Sequence, residues 1–266
     1  MERLYIGLLF AFSLFSFLSL YLRMAYTYKW LVPNYKGISI PVGMGVVLPV
    51  SFILITPFLN QGEGRDASFL LLLFLMAGVG WYDDLWGEKE AKGLRGHFRL
   101  LWKEKKISSG IWKIVAAFVA GVFLLRSMPL RQWEWAVGLF SFMLSVHLIN
   151  LLDVRPLRAL KGFWFLLILL LLSHHQIFSE RFLMIYISTF ILGVYDGKEL
   201  AMMGDAGANL LGGIIGYYLL HLGSPVEWLL FSGVGMLITL YAESNSLSRF
   251  IDSNFLLRKI DRLGRG

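Results

Sequence analysis

Runs of apolar residues with no charge recur along the chain, at residues 4–22, 41–62, 67–82, 135–152, 162–179, 182–195, 206–226 and 228–242. A ninth run, 107–125, is broken only by Lys113, which sits close enough to one end for its ammonium to reach the interface along its alkyl stem. A helix needs about 20 mostly apolar residues to cross the hydrocarbon of a bilayer. The pattern therefore predicts an all-α, polytopic membrane protein of about nine transmembrane helices within residues 1–246. Several runs are short, which puts their flanking charges near headgroup depth. The first run follows Met-Glu-Arg without a small-x-small cleavage site, so a retained helix is expected there rather than a signal peptide.

Nine crossings fix sidedness by parity. One side then receives residues 23–40, 83–113, 150–162, 196–209 and the tail from Glu243, which together hold 20 of the 25 Lys and Arg. The positive-inside rule makes that side cytoplasmic, with the N-terminus outside and the C-terminus inside. Beyond Ser246 the apolar residues Leu247, Phe250, Ile251, Phe255, Leu256, Ile260 and Leu263 alternate with Arg249, Arg258, Lys259 and Arg262. Residues 247–266 are thus expected to form a cytoplasmic amphipathic tail, lying either on the anionic inner leaflet or on the cytoplasmic loops.

Composition sharpens this picture. The chain is 57 % hydrophobic and 16 % charged, with a mean hydropathy of +0.64, where a soluble domain carries roughly a quarter charged residues. With no cysteine there is no disulfide framework, thiolate metal site or cysteine nucleophile. The net charge of +7 is accounted for by the cytoplasmic bias, so no nucleic-acid partner is implied.

Acids run against that bias. Asp83, Asp84, Asp153, Asp196, Asp205 and Glu243 all abut apolar runs on the cytoplasmic side. Any one alone is an ordinary solvated helix end. Six together suggest a shared site at the membrane surface. Carboxylates among lysines and arginines suit phosphate chemistry with Mg²⁺, which takes one or two carboxylates plus phosphate oxygens and waters. Glycines near these acids, in Val42-Gly43-Met44-Gly45 and Met203-Gly204-Asp205-Ala206-Gly207, would let backbone N–H groups approach an anion. His147, one turn before Asn150, reads as a buried hydrogen-bonded histidine, while Asp196, Lys198, Glu199 and Asn209 read as supports for Asp205.

Four segments, in order, resemble the polyprenyl-phosphate N-acetylhexosamine-1-phosphate transferases, the family of the phospho-N-acetylmuramoyl-pentapeptide translocase. They are Asn34-Tyr35-Lys36-Gly37 with Ile40-Pro41, Asp83-Asp84-Leu85-Trp86-Gly87 with Lys92-Gly93-Leu94, Asn150-Leu151-Leu152-Asp153, and Met203-Gly204-Asp205-Ala206-Gly207. The resemblance implies a bacterial plasma-membrane enzyme. It would transfer a sugar 1-phosphate from a UDP-sugar to undecaprenyl phosphate, with Mg²⁺ as cofactor and UMP released. It implies Asp83 and Asp84 as the catalytic pair and Asp205 as metal ligand. Substrate contacts would come from Asn34, Lys36, Lys92, Asn150 and Asp153, and the neighbouring Arg155, Arg158 and Lys161 are further phosphate-binding candidates. Arg158 and Lys161, one helical turn apart, could share one anionic group. Adjacent on a helix, Asp83 and Asp84 point roughly 100° apart and are expected to do different work.

The chain also departs from the family. Its commoner Asp-Gly-Leu-Asp-Gly reads here Asp153-Val154-Arg155-Pro156-Leu157, with Pro156 in place of the second aspartate. Glu243-Ser244-Asn245-Ser246 lacks the histidines that the pentapeptide translocase carries between its last spans. Both departures point to a simpler UDP-N-acetylhexosamine donor. Partners besides the two substrates are membrane lipids, and a homodimer is left open. Two other function classes stay in view: a non-catalytic lipid-binding or regulatory protein of the same fold, and a lipid transporter. Against the transporter stand acids at span ends rather than at the midplane, and no internal repeat.

Overall fold

Seven of the nine apolar runs are helical throughout their described parts in the computed structural model, which describes residues 2–58, 67–87, 109–174 and 180–265; run 41–62 begins in a strand and turn before its helix, and run 206–226 is broken at Gly223 and Ser224. The α-helices in chain order are α1 (Glu2–Thr27), α2 (Val47–Ile55, flanked by the 3₁₀ turns Met44–Val46 and Thr56–Phe58), α3 (Ala67–Trp86), α4 (Ser109–Leu125), α5 (Gln132–Leu152) and α6 (Arg158–His174). They continue with α7 (Glu180–Gly197), α8 (Gly204–Leu222), α9 (Pro225–Ser244), α10 (Leu247–Ser253) and α11 (Phe255–Arg262). The fold is helical throughout except for one antiparallel hairpin, β1 (Leu31–Pro33) with β2 (Ser39–Pro41), in register Leu31↔Pro41. That hairpin departs from the all-helical expectation. Asn34 makes its turn, its side-chain oxygen accepting from the N–H groups of Lys36 (2.9 Å) and Ile38 (3.0 Å).

Helix α8 lies at the centre. It is buried from Ala206 to Leu220 and packs chiefly on α3 and α5. A helix buried on all sides meets protein rather than lipid, so its sequence is free to carry Gly, Asn and Tyr. Small residues bring the backbones close: a Cβ on Gly212 would lie 2.5 Å from Val146 Cα on α5. Hydrogen bonds add to the packing, with Ser145 Oγ donating to the Gly212 carbonyl (2.9 Å) and the hydroxyls of Ser141 and Ser232 2.7 Å apart. On the outside, Phe12, Phe165, Phe190, Leu230 and Leu237 are exposed, an apolar belt suited to lipid.

Four helices among the described residues are long and apolar enough to cross a membrane: Leu4–Thr27, Ala67–Trp86, Gln132–Leu152 and Pro225–Ser244. Met44–Phe58 and Ser109–Leu125 are apolar but shorter. About nine crossings are thus not supported on length and apolarity, because the remaining helices are either short or, like α8, carry polar and small residues against their neighbours. The tail also differs from expectation in being two helices. Asn254 ends α10 and caps α11, its side-chain oxygen accepting from the N–H groups of Leu256 and Leu257, both at 3.1 Å.

Candidate active site

One end of the bundle gathers the C-terminal end of α3, the start of α4, the end of α5 and the start of α8. Asp83 and Asp84 are consecutive on α3, and the structure divides their work. Asp84 turns to α8, where its two oxygens accept from the backbone N–H groups of Asp205 (2.9 Å) and Ala206 (3.0 Å). A carboxylate there satisfies orphan donors and complements the positive end of the helix dipole. The N–H groups expected to greet a ligand anion are therefore taken by a carboxyl group of the protein's own. Gly204 makes room for it: its φ is +64°, and a Cβ there would sit 2.6 Å from an Asp84 oxygen.

Asp83 turns the other way, toward α4. Lys113 Nζ donates to Asp83 Oδ2 at 2.6 Å and to Asp205 Oδ2 at 3.0 Å. One ammonium thus bridges carboxylates from two helices. Lys113 was expected to snorkel to the interface; instead its charge is drawn inward by two acids. The signal for it was in the sequence, as the one charge interrupting an otherwise apolar run.

Three cavities border this cluster. One, of about 530 Å³, lies between residues 28–32 and the end of α3 and is lined by Asp83 and Asp84. Two more lead away from it. The first is a polar cleft of about 440 Å³ whose lining includes Asn34, Tyr35, Asp84, Asp153, Arg155, Glu199 and Asp205. The second, of about 370 Å³, is walled by Ile114, Ala117, Met143, Val146 and Leu151, with Lys113, His147, Asn150 and Asn209 as its polar members. Val154 lines both. In the second cavity the side-chain nitrogen of Asn209, a residue 2 % exposed, has no hydrogen-bond partner among the described residues, and neither has His147 Nε2. Buried donors without partners are uncommon in native structures and ask for a ligand or water.

The cleft is braced by contacts made at loop residues. Asp196 accepts from Leu157 N–H (2.5 Å) and Met203 N–H (3.3 Å), tying the loop after α5 to the loop before α8. Glu199 accepts from Asn34 Nδ2 (2.9 Å) and Tyr35 Oη (3.1 Å) and pairs with Lys36 at 2.6 Å. The Lys36 ammonium holds the Glu199 carboxyl below its ordinary range, and the same bond raises Lys36. Arg155 stacks its guanidinium 4.4 Å from the Tyr35 ring centre. Asp153 is held well above the ordinary carboxylate range, by burial first and then by the charges of Asp196, Asp205 and Asp84.

That last shift has a measurable sign. An acid whose folded-state pKa is raised loses stability as pH climbs from its unfolded value of about 4 through the folded one. Asp153→Asn removes that loss. The variant is expected to gain thermal stability over the wild type progressively as pH rises above about 4. A stability difference that stays flat across this range would mean that ionisation at Asp153 is not opposed by its surroundings.

The sequence-derived candidates divide accordingly. Asp83, Asp84 and Asp205 meet in one cluster, and Asp153 and Arg155 line the adjoining cleft. Asn150 lines the apolar cavity, and Asn34 and Lys36 are engaged with Glu199 at the hairpin. Arg158 and Lys161 point elsewhere. Arg158 forks onto Asp261 of the tail at 2.8 and 2.9 Å, and Lys161 donates to the carbonyls of Ile260, Asp261 and Leu263. Glu243 is exposed at the end of α9 and lines none of the three cavities. Lys92 lies outside the described residues.

The donor set suits Mg²⁺. The oxygens of Asp83 and Asp205 converge on one cationic centre, and a hard divalent ion takes one or two carboxylates, leaving positions for phosphate and water. Among the described residues no group of three or more His, Cys, Asp or Glu side chains is arranged for a metal. No protein-family model matches this chain, and no curated protein searched matches it.

Proposed function

We propose that this protein is a Mg²⁺-dependent transferase that moves a sugar 1-phosphate, an N-acetylhexosamine 1-phosphate, from a UDP-sugar to undecaprenyl phosphate and releases UMP. The observation that carries the reading is the junction itself. The acid-lined cleft, bordered by Asp205, and the apolar cavity, bordered by Lys113, share Val154 and meet across the Lys113–Asp205 ion pair, where a water-soluble anion and a lipid-borne one could come together. The four motifs that resemble the hexosamine-1-phosphate transferases support it, since three of them border this junction.

In this reading an oxygen of the lipid phosphate attacks the sugar-bearing β-phosphorus of the donor. The bond from that phosphorus to the oxygen bridging it to the α-phosphate breaks, and UMP leaves with the bridging oxygen. The lipid phosphate is already largely ionised near neutral pH (second pKa about 6 for a phosphomonoester). Positioning and charge stabilisation therefore matter more than a strong base. Asp83 and Asp205 would hold Mg²⁺, which when bound neutralises charge on the phosphates. Lys113 supplies a second cation beside them. Asp84 fixes the start of α8 and so the position of Asp205. Asp153, Arg155 and Tyr35 face the donor in the polar cleft, and the apolar cavity with Asn150 and Asn209 takes the first isoprene units below the lipid phosphate.

The test is direct. Purified protein in detergent, given undecaprenyl phosphate, Mg²⁺ and a panel of UDP-sugars, should yield UMP and a lipid diphosphate-sugar identified by mass, with a UDP-N-acetylhexosamine as best donor. Binding of undecaprenyl phosphate without UMP from any donor would replace this reading with a non-catalytic lipid-binding role, to which the Pro156 substitution in the donor loop also points.

The site's sidedness belongs to the same reading: a plasma-membrane protein with the N-terminus outside and the site and C-terminus cytoplasmic. The cluster draws on residues from three runs at the ends that the Lys and Arg bias assigns to the cytoplasm. A reporter fused after Gly266 that is active only outside the plasma membrane should stay silent. A strong signal would overturn both the orientation and the cytoplasmic site.

A further inference from the structure

The tail is held to the bundle by one side only. On the inner side Arg158, 5 % exposed, donates to both oxygens of Asp261 and also to Ser248 Oγ (2.8 Å), so one side chain grips both tail helices. Lys161 caps the end of α11 through three carbonyls, at 2.7 to 2.9 Å. Asp261 is pushed up by burial, but Arg158 and Arg265 outweigh this and hold it below the usual carboxylate range. Past α11 the chain reaches the donor loop. Arg265 Nε donates to the Pro156 carbonyl at 2.9 Å, and the Gly264 carbonyl lies against Gly197, where a Cβ would meet it at 2.7 Å. Residues 153–156, which wall the polar cleft, are therefore tied to Asp196 through the N–H of the next residue, Leu157, and to the tail through Pro156.

The outer side has no such partners among the described residues. Phe255 (72 % exposed), Leu256, Ile260 and Leu263 stand out from α11 with the cations Lys259 and Arg262 among them. The one acid of α11, Asp261, is turned inward. A tail needed only to brace a loop would present polar residues to water. Large apolar side chains flanked by cations are what an interfacial helix presents to an anionic bilayer, the rings and alkyl chains entering the headgroup boundary and the cations pairing with phosphates.

We propose that the outer face of the tail docks on an anionic lipid surface and that this docking clamps the donor loop 153–157 through Arg158, Lys161 and Arg265. The docking stands on the tail alone. The regulatory consequence, a donor cleft that is firm only on an anionic membrane, rests on the transferase reading above.

The test uses the full chain in nanodiscs of phosphatidylcholine, with or without phosphatidylglycerol, read by amide hydrogen exchange. Residues 255–263 should exchange at least ~10-fold more slowly in the anionic discs, the scale expected for cations near such a surface. Residues 153–157 should slow with them. The double variant Lys259→Glu, Arg262→Glu changes only exposed positions and should abolish the difference while the bundle helices exchange as before. Equal tail exchange in both discs would overturn the docking. A protected tail with an unresponsive 153–157 loop would overturn the clamp. Neither readout needs turnover, so a chain that docks but releases no UMP would sink the transferase reading and leave the docking intact.

Discussion

Asp205→Asn should lower UMP release at least ~10²-fold, since the change removes a charge that stabilises the transition state by several kcal/mol when it holds a metal. The fold should survive. What Asp205 gives to the architecture is its backbone N–H, donated to Asp84 at 2.9 Å, and asparagine keeps that group. The new amide oxygen can still accept from Lys113. Helical content and melting temperature should stay close to those of the wild type, and the loss should deepen at limiting Mg²⁺. Near-normal turnover at limiting Mg²⁺ would remove Asp205 from the metal. Asp84→Asn makes the contrast: it weakens the cap on α8, so its first effect should be on melting and only its second on rate.

The difference between these two aspartates was not legible in the sequence, where they are equivalent acids beside apolar runs. Helical geometry said only that Asp83 and Asp84 point apart. Which one meets α8 depends on the hairpin, the 3₁₀ turn at Met44 and the glycine at 204, all of them tertiary. The apolar runs were legible because burial in lipid or protein demands the same side chains, and each run contains a helix. The same fact hid the difference between helices that face lipid and those that face protein, so nine runs could be counted where length and apolarity support four crossings.

Arg158 and Lys161 show a different limit. Their spacing correctly put both on one helical face, and both do bind one anionic neighbourhood, but that neighbourhood is the C-terminal end of α11. A sequence shows that two cations can share an acceptor and is silent about whether a segment a hundred residues away supplies it. The amphipathic pattern of the tail was visible. That its inner edge carries Asp261 for Arg158, and its end carries Arg265 for Pro156, was not.

Lys113→Met should make the protein's stability depend on divalent cations. The thioether keeps the length of the side chain and removes the charge, leaving Asp83 and Asp205 to face each other with no cation between them. Their side chains are 14 % and 26 % exposed, so water screens part of the repulsion. Leaving a fully buried charge unpaired costs about 3–5 kcal/mol, and the exposure here brings the expectation down to about 2 kcal/mol. For a chain of this size that is a fall in melting temperature of roughly 4–8 °C in the presence of a chelator. Mg²⁺ should restore most of it, because the ion enters between the same oxygens without an ammonium to displace. Divalent-ion affinity, read by Mn²⁺ titration, should rise for the same reason. Turnover should nonetheless fall, since the second cation beside the phosphates is gone. The opposite pattern, weaker Mn²⁺ binding and a melting temperature indifferent to chelator, would mean that Lys113 orients the two carboxylates for the metal rather than standing where the metal goes.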